Sequence, residues 1–403
     1  MADGNTPMSF GERLRFYRDR AGMTRPVLGQ LCGRSGEWVK GLENGGILMP
    51  RMHLLLRIAE VLGVEDLADL TGEQRLTSAT YGKRRHEHAD RIGHALAVFP
   101  IVSPDREPLS ADALAANVRQ AWMVWHGSPQ HRTAIAAVLP RLLDDARTSA
   151  KLLEGRDRRN ALASLAQVYH LAQLYFSFQP MHDLVMLTGD RAMHVAQDAD
   201  DPHAIAAAAW YVNHVYRDAA INAEARIELA HQATRLLRPE NDADRPLWGL
   251  MHLAIALSHA KTGRRGDAER HWGLAHDAAQ TLDGHHPWLL FGKDMVDAYA
   301  VTMYADLTVA HEAVRQADRI TIALPSATRR SFHTIEVARA YHLKNEPLAT
   351  VHLLNKAYEI APETIGYNLF TRAVLADLGA HGGTTVRDDA RELAGKLQLP
   401  VAS

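Results

Sequence analysis

Arginine and lysine side chains are concentrated near the start of the chain, where they could together bind phosphate groups. Residues 8–57 carry nine basic and four acidic side chains, which gives this segment a net charge of +5. The whole chain of 403 residues has a formal net charge of −2. Because an uneven charge distribution of this kind is typical of a surface that meets an anionic partner, the overall charge does not exclude nucleic acid.

Four short helices are predicted to position these basic residues. Apolar residues recur at helical spacing in each of them, and glycines or good capping residues stand at their ends. Val64 and Leu67 are expected to extend the same core. The predicted helices are Phe10–Ala21, one capped by Thr24 and ended by Gly33, one from Ser35 to about Glu43, and Met52–Leu62.

The order of these helices and their motifs resembles the Cro/C1-type (XRE) family of helix-turn-helix regulators. The resemblance implies a domain that binds double-stranded DNA, with the helix from Ser35 to about Glu43 in the major groove. It also implies a buried ion pair between Arg18 and Glu43, which makes Glu43 structural. The similarity covers about residues 9–70 and rests on Gly22-Met23-Thr24, Leu28-Gly29, Gly33-x-Ser35, Leu42-Glu43-Asn44-Gly45 and Ile58-Ala59.

The resemblance also assigns individual contacts with DNA. Glu37 is expected to read a base, because a carboxylate accepts a hydrogen bond from cytosine N4 or adenine N6. Trp38 would stack on a sugar or touch a thymine methyl group, whereas Arg34 and Lys40 would meet phosphate. The complete set of predicted DNA-binding residues is Thr24, Arg25, Arg34, Ser35, Gly36, Glu37, Trp38, Lys40, Asn44 and Arg51.

Three positions depart from the pattern of that family. Arg25 stands where glutamine is common, and Gly36 and Gly41 are expected to face outward where longer polar side chains usually reach the groove. Fewer side chains are then available for direct base contacts, so more of the specificity is expected to come from DNA shape.

The remainder of the chain has a repeating pattern. Prolines recur from Pro202 to Pro400 at intervals of 44, 41, 38, 37 and 38 residues, and most follow an alanine-rich helix. A period near 40 residues with two helices per unit predicts an α-solenoid, in which each unit buries its apolar face against the next. Residues 250–283 and 331–362 also resemble the tetratricopeptide (TPR) pattern of small residues at a helix crossing.

These patterns predict an all-α protein with two domains. The N-terminal helix-turn-helix domain is expected at residues 8–72 and the TPR-like repeat domain at residues 110–400. Residues 73–109 are expected to be a linker with one helix near residues 90–99. This domain order is similar to regulators of the Rgg/PlcR/PrgX type, which sense a signalling peptide, and to regulators common in actinobacteria.

The first helix of each repeat would normally line the groove in which an effector binds. Asn213 and Arg217 lie one helical turn apart, so an amide and a guanidinium could hold a peptide backbone and a carboxylate. A homodimer is expected, because one DNA-binding module buries too little surface for tight specific binding. The predicted effector-binding residues are Tyr169, Asn213, Arg217, Arg339 and His342.

Few other patterns suggest chemistry. Cys32, the single cysteine, excludes a disulfide framework and is expected to pack in the core. His86-Glu87-His88 and His285-His286 are interpreted as solvated or capping residues rather than metal ligands. The chain has no phosphate-binding loop, dinucleotide-binding motif or nucleophile elbow, so no enzyme activity, metal or cofactor is predicted.

The location and the partners follow from these features. No apolar run approaches the ~20 residues of a membrane span, and the polar N-terminus lacks a signal peptide, so a cytoplasmic bacterial protein held on the nucleoid by DNA is expected. The favoured function is a regulator that binds an operator as a homodimer and senses a peptide or small molecule. The alternatives are a constitutive repressor whose repeats bind a partner protein, and a scaffold that has lost DNA binding.

Overall fold

Helices form the whole regular structure of the computed structural model, which describes residues 8–64, 66–72, 83–99, 101, 107–217, 222–320 and 324–399. No strand occurs within these ranges, and the prediction of an all-α chain is confirmed. None of the helices described combines the length and the apolar character that a membrane crossing needs. Residues 73–82, 100 and 102–106 of the predicted linker, and Pro400, lie outside the described residues.

The N-terminal unit contains five helices whose boundaries follow local capping signals. The Ser9 side chain and Glu12 form a capping box at the first helix, and Thr24 and Ser35 cap the second and third. Cys32 is buried in the core of this unit, as predicted. The helices are α1 (Phe10–Arg20), α2 (Arg25–Leu31), α3 (Gly36–Glu43), α4 (Met52–Leu62) and α5 (Leu67–Thr71).

Sixteen further helices follow in the described part of the chain. The first of them matches the helix predicted within the linker. They are α6 (Ala89–Ala97), α7 (Ala111–Gly127), α8 (His131–Leu152), α9 (Gly155–Phe176), α10 (His182–Asp198), α11 (Pro202–Tyr216), α12 (Ala223–Thr234), α13 (Arg245–Lys261), α14 (Arg265–Gln280), α15 (Lys293–Asp306), α16 (Ala310–Arg319), α17 (Ala327–Leu343), α18 (Pro347–Ile360), α19 (Pro362–Tyr367), α20 (Leu369–His381) and α21 (Thr384–Lys396).

Most of these helices pack in pairs, as the 40-residue period predicts. The two units with TPR-like sequences are the pairs α13–α14 and α17–α18, which are among the most extensively packed neighbours. The first helices of successive pairs, α9, α11, α13, α15 and α17, also contact each other in turn. The predicted helix-turn-helix unit followed by a TPR-like solenoid is therefore confirmed.

The recurring prolines Pro202, Pro246 and Pro362 lie at helix ends, as predicted. All three lie in the first turn of the helix that follows rather than at the end of the helix before. A first-turn residue needs no backbone N–H for the helix, so proline fits there without loss of a hydrogen bond.

The solenoid curves until its first helices meet α17 and α19. Helix α7 contacts α17, where the Thr328 hydroxyl donates a hydrogen bond of 2.9 Å to the carbonyl oxygen of Trp125. The Glu363 carboxylate in α19 accepts hydrogen bonds from the backbone N–H groups of Arg132 (2.6 Å) and Thr133 (3.2 Å), so it caps the start of α8. Burial raises the pKa of Glu363, but hydrogen bonds from His86, Thr133 and Arg132 outweigh it and set the pKa to about 2.

The interpretation of His86 as a solvated or capping residue is wrong. Its ring is buried at this closure, with Nδ1 2.9 Å from the Tyr175 hydroxyl and Nε2 3.1 Å from the Thr133 hydroxyl. Its backbone N–H donates to the side chain of Gln179 at 2.8 Å. These partners are 47 to 93 residues away in the sequence, so no local pattern could indicate them.

Candidate nucleic-acid interface and adjoining cavity

Helices α2 and α3 are joined by a tight turn that fixes their relative position. Gly33 in this turn has a φ of 64°, a left-handed conformation that glycine adopts without strain. Leu28 of α2 and Val39 of α3 are fully buried and hold the two helices together. Helix α3 is therefore fixed along its inner side and presents Glu37 and Lys40 to solvent.

Glu43 at the end of α3 links three helices of the N-terminal unit. Its side chain is 1% exposed, and Oε1 accepts a hydrogen bond of 2.5 Å from Nε of Arg18 in α1. Its other oxygen accepts a hydrogen bond of 2.7 Å from Nε of Arg25 in α2. The predicted ion pair between Arg18 and Glu43 is confirmed, and Arg25 joins it, which the sequence did not indicate.

The predicted DNA-binding residues divide into two groups by exposure. Thr24, Glu37, Lys40 and Asn44 are exposed, and the other six are partly buried. Glu37 and Lys40 form an ion pair of 3.0 Å, with side chains that are 63% and 48% exposed. Because an exposed pair contributes at most about 1 kcal/mol, either side chain can leave it to meet a base or a phosphate.

Trp38 lies between the core and the surface of the N-terminal unit. Its ring packs against the apolar core while it remains partly exposed, and the Arg34 guanidinium carbon lies 6.0 Å from the ring centroid. The aromatic and the cationic side chain therefore form one patch beside the start of α3.

Gly36 and Gly41 do not face outward as expected. A Cβ atom at Gly36 would lie 3.0 Å from the backbone nitrogen of Pro26, and one at Gly41 would lie 2.6 Å from Cδ1 of Ile47. Both positions face the chain itself, so a longer side chain there would meet the protein before it met DNA.

The N-terminal unit packs against the repeats at two places. Gly263, in the turn between α13 and α14, contacts Ser35 so closely that a Cβ atom there would overlap with the serine side chain. Leu48 packs against the apolar cluster of the last helices, which includes Leu354 and Leu393. The start of α3 is therefore partly covered by the repeats in this conformation.

A cavity of about 1700 Å³ lies between the two domains. The repeats contribute the C-terminal ends of α11, α13 and α15, together with α17 and α20. Three of the predicted effector-binding residues, Arg217, Arg339 and His342, line this cavity. Arg34, Trp38 and Arg51 line it from the side of the N-terminal unit.

The other two predicted effector-binding residues are packed inside the solenoid. Asn213 is 2% exposed, and its amide donates a hydrogen bond of 3.0 Å to the carbonyl oxygen of Ala209. The Tyr169 hydroxyl accepts a hydrogen bond of 3.1 Å from Nε of Arg147. Both side chains are used in helix packing, which brings neither of them to the cavity.

A buried network of charges forms part of the cavity wall. Asp306 accepts from Lys261 at 3.0 Å and from Arg339 at 2.8 Å. Arg339 also lies 3.0 Å from Glu336. Burial raises the pKa of Glu336, while the nearby Arg339 opposes this shift. Asp306 therefore pairs with cations of the two neighbouring repeats, and Glu336 pairs with Arg339 within α17.

Comparison with known families identifies the N-terminal unit. Residues 9–71 match a family model described as a helix-turn-helix domain. The N-terminal unit is a helix-turn-helix DNA-binding domain. The first part of the predicted resemblance is thereby confirmed over the expected residues. No curated protein shows significant similarity to the chain.

Three solved structures that align with the chain have TM-scores below 0.4. BtubC from P. vanneervenii is 14% identical over 58% of this chain and 91% of its own, with a TM-score of 0.36. PlcR from Bacillus thuringiensis, in complex with the peptide PapR7 and DNA, is 12% identical over 98% and 96%, with a TM-score of 0.23. ComR from S. thermophilus, in complex with DNA and its signalling peptide ComS, is 11% identical over 97% and 99%, with a TM-score of 0.20.

Sequence reasoning missed Lys261 and Asp306, which line the cavity beside the helix-turn-helix domain. Lys261 ends α13, Asp306 ends α15, and Arg217 directly follows α11. A charged residue thus stands at the same place in three successive repeats. Aligning the repeats on their first helices would have revealed this recurrence.

Proposed function

We propose that the protein is a sequence-specific transcriptional regulator that binds its operator through α3. The supporting observation is the geometry of that helix. Its inner side is locked by Val39 and by the ion pairs of Glu43, while Glu37 and Lys40 are exposed and separable. A short, rigid helix with exposed polar side chains fits the major groove, which is about 12 Å wide. We assign this role to residues 8–72 and the receiving role to residues 110–400.

Operator binding requires two copies of the chain in this proposal. A single module of this size buries roughly 600–1,000 Å² on DNA, which is less than most specific complexes bury. Two recognition helices on adjacent turns of the duplex, about 34 Å apart, would supply the remainder. We place the contacts between the two copies in the repeat domain.

Signal reception is assigned to the cavity between the domains. Arg217, Arg339 and His342 face it from the repeats, and Arg34, Trp38 and Arg51 face it from the helix-turn-helix domain. The second group is also predicted to contact DNA. A ligand in the cavity would therefore bind differently to the DNA-bound and DNA-free arrangements, which is the requirement for a population shift.

The test begins with DNA recovered from cells after crosslinking to the tagged protein. Binding of an enriched fragment is then measured by fluorescence anisotropy at several salt concentrations. Lys40→Ala is expected to weaken binding and to reduce the magnitude of the salt slope by about 1, because one phosphate contact is lost. Lys396→Ala is the matched control, since Lys396 is an exposed lysine of α21 paired with Glu392.

Two outcomes would overturn the proposal. One is the absence of any enriched fragment that binds more tightly than scrambled DNA of equal length. The other is a salt slope that Lys40→Ala and Lys396→Ala leave equally unchanged. Sedimentation of the DNA complex tests the dimer separately, and one chain per fragment would contradict it.

A further inference from the structure

The cavity between the domains is strongly basic. The helix-turn-helix domain and the segment after it contribute Arg13, Arg34, Arg51 and Lys83 to its lining. None of the cavity-lining residues described on this side is an aspartate or a glutamate. The positive charge of the first domain is therefore directed partly toward the interior of the molecule.

The repeats add further positive charge to the opposite wall. They contribute four cationic side chains and only two carboxylates, Asp306 and Asp377, to the described lining. Asp306 already accepts from both Lys261 and Arg339. Cationic side chains therefore outnumber carboxylates two to one in the described lining of this wall. The cations are Arg217, Lys261, Arg339 and Arg372.

Arg217 is a buried cation of this wall with hydrogen-bond donors that an anion could use. It is 5% exposed, and neither its Nε nor its Nη1 has a hydrogen-bond partner among the residues described. Leaving the donors of a buried cation unused is costly for folding, because water no longer satisfies them. A guanidinium with unused donors can form charge-assisted hydrogen bonds with a carboxylate or phosphate.

We propose that this cavity binds a small polyanion, a molecule with several phosphate or carboxylate groups, one of which pairs with Arg217. The cavity of about 1700 Å³ exceeds the roughly 300–1,000 Å³ of most ligand sites, so it has room for a molecule with several anionic groups. The inference deepens the proposed function and depends on it for its regulatory consequence.

That consequence is mutual exclusion between the polyanion and DNA. Arg34 and Arg51 line the cavity and are also predicted to contact DNA. A polyanion that bridges these side chains and Arg217 would hold the helix-turn-helix domain on the repeats, where Gly263 covers Ser35. By linkage, the ligand must then weaken DNA binding by the same factor by which DNA weakens ligand binding.

The binding experiment uses the full chain and two chemically distinct probes, tripolyphosphate and citrate. Isothermal titration calorimetry is expected to detect binding of at least one probe to the unmodified protein, and the stronger one identifies phosphate or carboxylate as the preferred group. Arg217→Met is expected to weaken that binding by about tenfold or more, and Arg217→Lys by less. Arg141→Met is the matched control, because Arg141 is 84% exposed on α8.

Thermal unfolding of the same variants without a probe separates ligand binding from folding. Arg217→Met is expected to match or exceed the melting temperature of the unmodified protein, because it removes a buried cation with unused donors. Three results would overturn the proposal: no binding of either probe, equal loss of binding in Arg217→Met and Arg141→Met, or a marked loss of thermal stability in Arg217→Met.

Competition with DNA tests the exclusion. The Kd for an enriched fragment is measured with and without the stronger probe, and sodium chloride keeps the ionic strength equal. The probe is expected to raise the Kd for DNA severalfold in the unmodified protein and to change it little in Arg217→Met. If the probe raises the Kd by the same factor in both proteins, mutual exclusion is refuted. Failure of the proposed function is distinguishable, since no fragment would then bind even without the probe.

Discussion

Replacing Glu43 by glutamine would test whether the ion pairs at the end of α3 hold the helix-turn-helix domain together. Glutamine has nearly the same shape and keeps one acceptor oxygen, so the change removes charge without opening a cavity. Arg18 would lose its buried counter-charge, whereas Arg25 is 35% exposed and can turn to water. Nearly all of the effect should therefore come from Arg18.

The magnitude follows from the surroundings of Arg18. Removing one partner of a buried pair typically costs 3–5 kcal/mol. The Arg18 side chain is 8% exposed but keeps its ion pair with Asp19 and a hydrogen bond of 2.9 Å to the carbonyl oxygen of Met23. We therefore expect the lower end of that range, about 3 kcal/mol, which is a large part of the 5–15 kcal/mol that stabilises a typical domain.

Hydrogen–deuterium exchange of the full chain measures this loss locally. A decrease of about 3 kcal/mol in the opening free energy speeds exchange by roughly 100-fold in amides that open with the domain. Peptides covering α1 and α3 should show the change, and peptides of α13 and α14 should not.

Glu37→Gln is the control within the same helix. Its ion pair with Lys40 is exposed, so the loss should stay below about 1 kcal/mol, or roughly fivefold in exchange rate. If Glu43→Gln speeds exchange in α3 no more than Glu37→Gln does, the reasoning about Glu43 is refuted.

Two further predictions concern packing and pH. In Gly29→Ala, the new Cβ atom would lie 2.6 Å from the backbone oxygen of Ser35, so thermal unfolding should show a loss of about 1–3 kcal/mol, whereas Gly46→Ala, with 3.8 Å to its nearest atom, should show little. Burial lowers the pKa of His170 to about 3, so its neutral ring stabilises the fold fully above the unfolded pKa of about 6.5, and this stability is lost as the pH falls toward 3. Between pH 6.5 and 5, the free energy of unfolding of His170→Phe, measured with urea, should therefore depend less steeply on pH than that of the unmodified protein, by up to about 1.4 kcal/mol per pH unit. An equal pH dependence in the two proteins would contradict the lowered pKa of His170.

The sequence predicts the helix-turn-helix domain well because its signals are local. Ser35, Thr24 and the glycines of the turns lie within a few residues of the helix ends that they determine. The alternation of two helices per repeat is equally readable, since the period is set by apolar spacing along the chain. The bonds of Glu43 to Arg18 could be inferred only from the family resemblance, and its bond to Arg25 could not.

The residues that line the cavity were harder to predict from the sequence. The first helices of the repeats pack against neighbours on several sides, so helical spacing alone does not tell which side faces the cavity. Asn213 and Arg217 share a helical turn, yet only Arg217 lines the cavity, because it follows the last residue of α11. His86 and Glu363 meet across more than 270 residues, a contact that depends on the curvature of the whole solenoid.

The meeting of α7 with α17, and of Glu363 with the start of α8, also bears on how the chain unfolds. In an open solenoid, each repeat contacts only its neighbours, so the ends can fray while the middle stays folded. Here the first helices of the solenoid contact α17 and α19, so they are not a free terminus from which unfolding can spread, and only α20 and α21 lie beyond this contact. Helices α7 to α19 should therefore melt as one cooperative unit and form slowly, since the contact between α7 and α17 closes a loop of about 200 residues.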